Sequence, residues 1–178
     1  MHNDKHCIKM ILEYNQLLST AHRILDGTEY ISKSKSGRNV KRWSLSDNRD
    51  TILYSATHIN HPSAVWVRKS ESNYNWLSRL LVDLCQEYTY RYGKVHKCQS
   101  MGLVDVLFNN VPKNIPKGNF TEPTPAMDKS YIIPGDSVKS YRNYYNIAKR
   151  HLATWQGKIN SRKIPEWYEV NDANLSDV

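Results

Sequence analysis

DKHCIKMILEYNQLLSTAHRIL, residues 4–25, is the stretch that decides the fold class. Its apolar residues recur three and four positions apart, which is typical of an amphipathic helix. The stripe consists of Ile8, Ile11, Leu12, Leu18 and Leu25. Asp4 is a suitable N-cap residue and Gly27 a suitable stop, so the pattern predicts one long helix over residues 4–25.

Two more segments repeat this pattern further along the chain. Residues 71–92 follow Ser70 as a cap, end at Gly93, and carry Tyr74, Leu77, Leu81, Leu84 and Tyr88. The third segment starts after Asp136, ends at Gly157, and carries Val138, Tyr141, Tyr145, Ala148, Leu152 and Trp155. No comparable stretch alternates with a period of two, so we expect an all-α, three-helix domain with little or no sheet.

Long connections separate these predicted helices. Residues 26–57 contain the basic run Lys33, Lys35, Arg38, Lys41 and Arg42, with no acid between Tyr30 and Ser46. Residues 93–135 hold five of the seven prolines. Long loops in compact domains are often functional. We expect residues 1–168 to form a single domain, followed by a mobile acidic tail over residues 169–178.

The charge balance favours a polyanionic partner. Among 178 residues, 25 Lys and Arg face 17 Asp and Glu, a formal charge of +8. Nucleic acid is the first candidate for such a chain, and a basic surface without a partner is the alternative. No apolar run is long enough to span a membrane, and the polar start MHNDKHCIK argues against a secretory signal. Cys7, Cys85 and Cys98 form no CxxC pair, which fits a reducing cytoplasm.

Candidate chemistry is concentrated on the first predicted helix. Lys5, Lys9 and Glu13 stand four residues apart and share a face, with His6 beside them. A carboxylate among cations can move protons or stabilise a cationic intermediate, although a surface ladder of ion pairs would look the same.

Histidine pairs offer a metal site as another possibility. The pairs are His2 with His6 and His58 with His61. The HExxH frame is absent, and His61-Pro62 also suits a turn, so we expect no metal and no cofactor.

Three stretches resemble a known family. They are residues 4–27, residues 60–77 (NHPSAVWVRKSESNYNWL) and residues 87–96 (EYTYRYGKVH). All three are similar to a group of tailed-phage proteins classed with the phage pyrimidine-dimer DNA glycosylase/AP lyase family. The characterised family pattern, D-x-H followed by a catalytic Glu, resembles Asp4-Lys5-His6 and Glu13. The basic loop at residues 36–43, Ala56-Thr57-His58 and Pro165-Glu166-Trp167-Tyr168 are shorter matches.

This resemblance implies a helical fold that binds duplex DNA and flips a base. In the family an α-amine attacks the sugar C1′ to form an imine, and a Glu carboxylate assists ring opening and β-elimination. An α-amine has a pKa of about 8 and is therefore partly unprotonated at neutral pH. The implied catalytic residues are Glu13, His6, Met1 and Lys9. The expected DNA contacts are Lys35, Arg38, Lys41, Arg42, His58, His61, Arg68 and Lys94.

The sequence departs from the family at its start. His2 is too bulky for ordinary removal of Met1, so we expect either the Met1 amine or the Lys9 side chain to act as nucleophile. The family's DNA-binding helix arginines correspond here to Leu12 and Gln16. A glycosylase/lyase acting as a monomer on damaged or modified double-stranded DNA, in the cytoplasm of an infected bacterial host, is the favoured prediction. A non-catalytic DNA-binding protein and an enzyme of modified bases or nucleotides are the alternatives.

Overall fold

A computed structural model describes residues 2–169. About half of the chain is helical, and the described part contains seven α-helices and one small two-stranded sheet. The long helices are α1 (Asp4–Asp26) and α4 (Glu71–Tyr92). The others are α2 (Arg49–Ile52), α3 (Pro62–Val67), α5 (Lys97–Ser100), α6 (Leu103–Asn109) and α7 (Ser137–Ile147). The strands are β1 (Thr28–Lys33) and β2 (Asn39–Ser44), and short 3-10 turns cover Lys129–Tyr131 and Arg150–Leu152.

The antiparallel pair α1 and α4 forms the centre of the fold. His22 near the end of α1 contacts Tyr74 near the start of α4, while Asp4 and Arg91 pair at the opposite ends. Ser70 caps α4, and Gly93 ends it with a φ of 65°, a left-handed conformation that favours glycine. Both predicted long helices are therefore confirmed. The cap of α1 is Asn3 rather than Asp4, because the Asn3 side chain accepts the His6 N–H at 2.8 Å.

The hydrophobic core lies between α1, α4, α3 and α6. Ile11, Leu18 and Leu81 are buried in it, together with three free cysteines. Ile8 and Leu12 are exposed, which corrects their assignment to the core stripe. Both lie on a face of α1 that is only partly covered, so α1 has a second, exposed apolar strip.

A β-hairpin occupies the first long connection, where we expected an irregular loop. β1 and β2 pair antiparallel from Thr28 opposite Ser44 to Lys33 opposite Asn39. Most residues of both strands are exposed or only half-buried. A strand without a buried face has no need for alternating apolar residues, which is why the sequence pattern did not reveal it.

The third predicted helix is much shorter than expected, and with seven helices in the described residues the three-helix arrangement is not confirmed. Asp136 caps α7 as predicted, accepting the Lys139 N–H at 2.8 Å, but α7 ends at Ile147. The chain then runs without regular helix across the first turn of α1, where Thr154 accepts the Asp4 N–H at 2.8 Å. Met1 and most of the predicted acidic tail, residues 170–178, lie outside the described residues.

Candidate active site and nucleic-acid interface

An open groove of about 470 Å³ lies between α1 and α5. Its α1 side is formed by Ile8, Lys9, Leu12, Glu13 and Gln16, and its other side by Tyr54, His96, Lys97 and Cys98. The exposed apolar strip of α1 is therefore one wall of the groove. This location puts Glu13, the predicted catalytic carboxylate, at a concave surface.

Glu13 forms an ion pair with Lys9 in the wall of this groove. The Lys9 Nζ to Glu13 Oε1 distance is 2.8 Å, with side chains 63% and 38% exposed. Such a solvated pair is worth at most about 1 kcal/mol, so either group is free to exchange its partner for a ligand. The amine and the carboxylate are thus held together without being locked in place.

His6 lies next to this pair, one turn back along α1. Its Nδ1 hydrogen-bonds the Tyr145 hydroxyl on α7. Burial lowers the pKa of His6, the charges of Lys9 and Lys149 lower it further, and Glu13 acts in the opposite direction. His6 is therefore a neutral, positioned side chain at pH 7. Of the four predicted catalytic residues, Lys9 and Glu13 lie together in the groove wall, and His6 lies on the same helix but outside the groove lining. Met1 lies outside the described residues.

The opposite wall of the groove contains residues that the sequence analysis missed. The Tyr54 hydroxyl lies 3.5 Å from Cys98 Sγ, and this hydrogen bond together with burial raises the pKa of Tyr54 to about 12. His96 accepts the Cys98 N–H at 3.2 Å, and burial lowers the pKa of His96. Lys97 is exposed at the edge. The sequence feature that could have indicated this groove is the apolar pair Ile8 and Leu12, which lies off the buried stripe of α1 and beside Glu13.

The predicted basic loop is the exposed hairpin. Lys35 and Arg38 lie in its turn, and Lys41 and Arg42 lie on β2. Lys41 Nζ pairs with Glu29 Oε1 at 2.9 Å, and Arg42 stands opposite Tyr30. Phosphate contacts require cations that project from the body on a surface with few acids, and the hairpin offers both.

The hairpin is fixed to the end of α1. The buried guanidinium of Arg23 donates to the Trp43 carbonyl at 2.7 Å, and the half-buried Trp43 packs beside Gly27. At a helical rise of 1.5 Å per residue, the end of α1 lies about 20 Å from Glu13. That distance corresponds to about six base-pair steps of duplex DNA.

Four further residues were predicted to contact DNA. His58, His61 and Arg68 meet at one turn, and Lys94 lies elsewhere. His58 has a φ of 47° and bonds Thr57 Oγ1 at 2.9 Å, while His61 caps α3 by accepting the Ser63 N–H at 3.3 Å. His61 therefore makes the contacts of a turn residue, as the sequence His61-Pro62 suggested. Arg68 reaches back to the same turn and donates to the Ile59 carbonyl at 2.7 Å. Lys94 is exposed after Gly93.

Two N–H groups in the first turn of α4, which an anion beside Arg68 would need, already have partners. The Glu71 N–H donates to the Pro116 carbonyl at 2.9 Å, and the Asn73 N–H donates to Ser70 Oγ at 3.2 Å. Glu71 adds a negative charge to the same turn. These two N–H groups are therefore not free to bind a phosphate beside Arg68, and the contact of Arg68 with DNA stays a prediction.

A buried polar network links α1 to α4 behind the hairpin. His22 Nε2 lies 2.7 Å from the Tyr74 hydroxyl, and Arg49 donates to His22 Nδ1 at 2.8 Å. Because arginine has no acceptor, Nδ1 must be unprotonated and Nε2 carries the proton. Burial lowers the pKa of His22 to about 4, and the Arg49 charge lowers it as well. Arg49 is itself paired with Asp26 at 2.7 Å. These residues are structural and do not face the groove.

Comparisons with protein-family models, curated proteins and solved structures found no match. Among residues 2–169, no helix combines the length and apolar character needed to cross a bilayer. Over the same range, no three His, Cys, Asp or Glu side chains are grouped as ligands for a metal ion. The groove, the hairpin and the resemblance of the sequence are therefore the features that bear on function.

Proposed function

We propose that this chain is a DNA glycosylase with AP lyase activity that acts on damaged or modified double-stranded DNA. The observation that carries the proposal is the Lys9–Glu13 pair, an amine and a carboxylate 2.8 Å apart in the wall of an open groove. Imine chemistry needs a nucleophilic amine and a nearby base, and it needs no metal. The groove gives a flipped nucleotide a place to reach both groups.

The proposed reaction assigns a separate role to each group. An unprotonated amine, from Met1 or Lys9, attacks C1′ of the sugar and displaces the base, and the sugar ring then opens to give an imine. Glu13 removes a proton from C2′, and the 3′ phosphate leaves in β-elimination. Neutral His6 is held by Tyr145 on the same helix as Lys9 and Glu13, and we assign it a positioning role only.

The basic hairpin supports the choice of DNA as substrate. Its cations Lys35 and Arg38 are exposed, and no acid lies between Tyr30 and Ser46. Base flipping costs a few kcal/mol, which phosphate contacts can offset. We expect the protein to act as a monomer in the cytoplasm of an infected bacterial host.

A non-catalytic DNA-binding protein is the second candidate. The observation in its favour is that Lys41 and Glu29 form an ion pair of similar length, 2.9 Å, with similar side-chain exposure of 62% and 44%. The Lys9–Glu13 pair is therefore not unusual as a surface ion pair. An enzyme of modified bases or free nucleotides would use the groove without needing the hairpin.

Borohydride trapping on duplex DNA with an abasic site or a pyrimidine dimer tests the proposal. The full chain should form a covalent adduct and cleave the strand. Glu13→Gln should lower cleavage by orders of magnitude while changing the free energy of unfolding by less than about 0.5 kcal/mol. Glu29→Gln is the matched control, because it breaks the similar ion pair on the hairpin, and it should cleave normally.

The adduct also identifies the nucleophile. Mass spectrometry of the trapped peptide should find the label on the Met1 amine or on Lys9, and Lys9→Arg abolishes trapping only in the second case. Salt-sensitive DNA binding without any adduct would instead support the binding protein. Equal cleavage by Glu13→Gln and by the unmodified chain would remove Glu13 from the mechanism.

A further inference from the structure

Three aromatic side chains form a cluster on the side of α4 that faces residues 116–121. The ring centroids of Trp66, Trp76 and Phe120 are each 5.8 Å apart. Trp66 is 6% exposed, whereas Trp76 is 43% and Phe120 is 45% exposed. We call Trp76 and Phe120 the aromatic platform, and Trp66 is the buried ring on which both pack.

Hydrogen bonds hold this platform in place. Trp66 Nε1 donates to the Thr121 carbonyl at 2.9 Å, and the Asn73 side chain donates to Thr121 Oγ1 and accepts the Thr121 N–H, both at 2.9 Å. Ser70 and Ser72 donate to the carbonyls of Asn119 and Gly118 at 3.1 and 2.7 Å. Phe120 is therefore anchored on both sides, and its exposed ring is presented rigidly.

Two exposed cations without an ion-pair partner in the described part of the chain lie close to the platform along the sequence, where Asp83 and Glu122 are the nearest acids besides Glu71, which is paired with Lys117. Arg79 lies one helical turn beyond Trp76 on α4, and Lys69 precedes the start of the same helix. Within residues 2–169, neither Arg79 nor Lys69 has a carboxylate partner within ion-pair distance. The segment that carries Phe120 has no acid between Asp105 and Glu122. Exposed aromatic rings flanked by cations suit a ligand that is both planar and anionic.

We propose that the aromatic platform binds unpaired nucleobases of single-stranded DNA by stacking, with Arg79 and Lys69 near the phosphates. Stacking on aromatic side chains combined with a positive surface is how proteins bind single strands without sequence preference. Because Tyr74 contacts His22, the platform lies at the level of the end of α1, away from Glu13. The inference rests on the proposed nucleic-acid partner and is independent of the lyase chemistry.

Fluorescence anisotropy with a short labelled oligo(dT) tests this site in the full chain. Trp76→Leu and Phe120→Leu keep an apolar side chain but remove the ring, and each should weaken binding about tenfold. Trp76→Phe keeps a ring and should retain most of the affinity. Phe108→Leu is the matched control, because Phe108 is also 45% exposed but lies on α6, and it should bind like the unmodified chain.

Duplex DNA separates failure of this inference from failure of the proposed function. If the leucine variants are folded, they should bind an abasic duplex as tightly as the unmodified chain and should form the same borohydride adduct. Unchanged oligo(dT) affinity in both leucine variants would overturn the platform, and so would equal losses in Trp76→Leu and Trp76→Phe. If the unmodified chain binds the duplex but not oligo(dT), only the proposed role of the platform is refuted. If it binds neither, the proposal that DNA is the partner is refuted as well.

Discussion

Protonation of His22 should destabilise the fold when the pH falls from 7 to 5. His22 is fully buried and neutral, with Nδ1 accepting from Arg49 and Nε2 facing the Tyr74 hydroxyl. A second proton on the ring would have to replace the bond from Arg49 and would place two cations together. Burial first, and then the Arg49 charge, lower the pKa of His22 to about 4 in the folded chain.

The magnitude follows from the two pKa values. An unfolded histidine has a pKa of about 6.5, so below that pH the unfolded state takes up a proton that folded His22 refuses until the pH approaches 4. Stability from this group is therefore complete above pH 6.5 and lost as the pH falls. At about 1.4 kcal/mol per pH unit, the loss reaches about 2 kcal/mol at pH 5. The pKa of the nearby Asp26 is lowered, so that carboxylate stays ionised over this range.

Urea unfolding at pH 7 and pH 5 measures the effect. The unmodified chain should lose about 2 kcal/mol more between these pH values than His22→Gln, since the variant lacks the group that titrates. The exposed His58 provides a matched histidine-to-glutamine control, because His58→Gln leaves the buried network around His22 in place. Equal losses in the unmodified chain and His22→Gln would refute the reasoning, as would an NMR titration that places the pKa of His22 near 6.5.

Two further predictions concern the hairpin and the ends of the long helices. Replacing Lys35 and Arg38 together by Gln should weaken binding to all duplex sequences alike. It should also reduce the slope of log affinity against log salt concentration by about two units, measured by anisotropy over a salt series. A loss of affinity for one sequence only would contradict phosphate contact. Arg91→Met should cost about 3 kcal/mol in urea unfolding, because it removes the buried partner that Asp4 and Glu87 share, while Arg162 still pairs with Glu87. A change below about 1 kcal/mol would show that the two Arg91 ion pairs are dispensable.

The two long helices were predictable because their signals are local. Periodic apolar residues marked the core-facing side of each helix, and Ser70, Gly93 and Gly27 marked their limits. The end of α7 was not predictable in the same way. The spacing of Leu152 and Trp155 continues the helical rhythm, but the segment around Trp155 is drawn into contacts with α1 and α4 instead. Tertiary hydrogen bonds outweighed the local preference there.

The candidate site was predictable only in part. Lys9 and Glu13 share a face by helical spacing alone, so their ion pair could be anticipated. The opposite wall of the groove comes from residues more than forty positions later, and no local pattern connects Tyr54 or His96 with Glu13. The hairpin was missed because its two faces are both largely solvated, which removes the alternation that identifies a strand.

Along α1, the charged residues that stabilise the fold are different from those assigned to the proposed chemistry. Both ends of the helix are fixed by buried guanidinium groups, Arg91 holding Asp4 at the start and Arg49 holding Asp26 at the end. Between these anchors, the face with Lys9 and Glu13 carries a solvated ion pair that contributes little to folding. A ligand in the groove can therefore pair with Lys9 or Glu13 in place of the present partner without destabilising the core. For this reason, substitutions at the ends of α1 should act on the free energy of unfolding, and those at Glu13 on turnover.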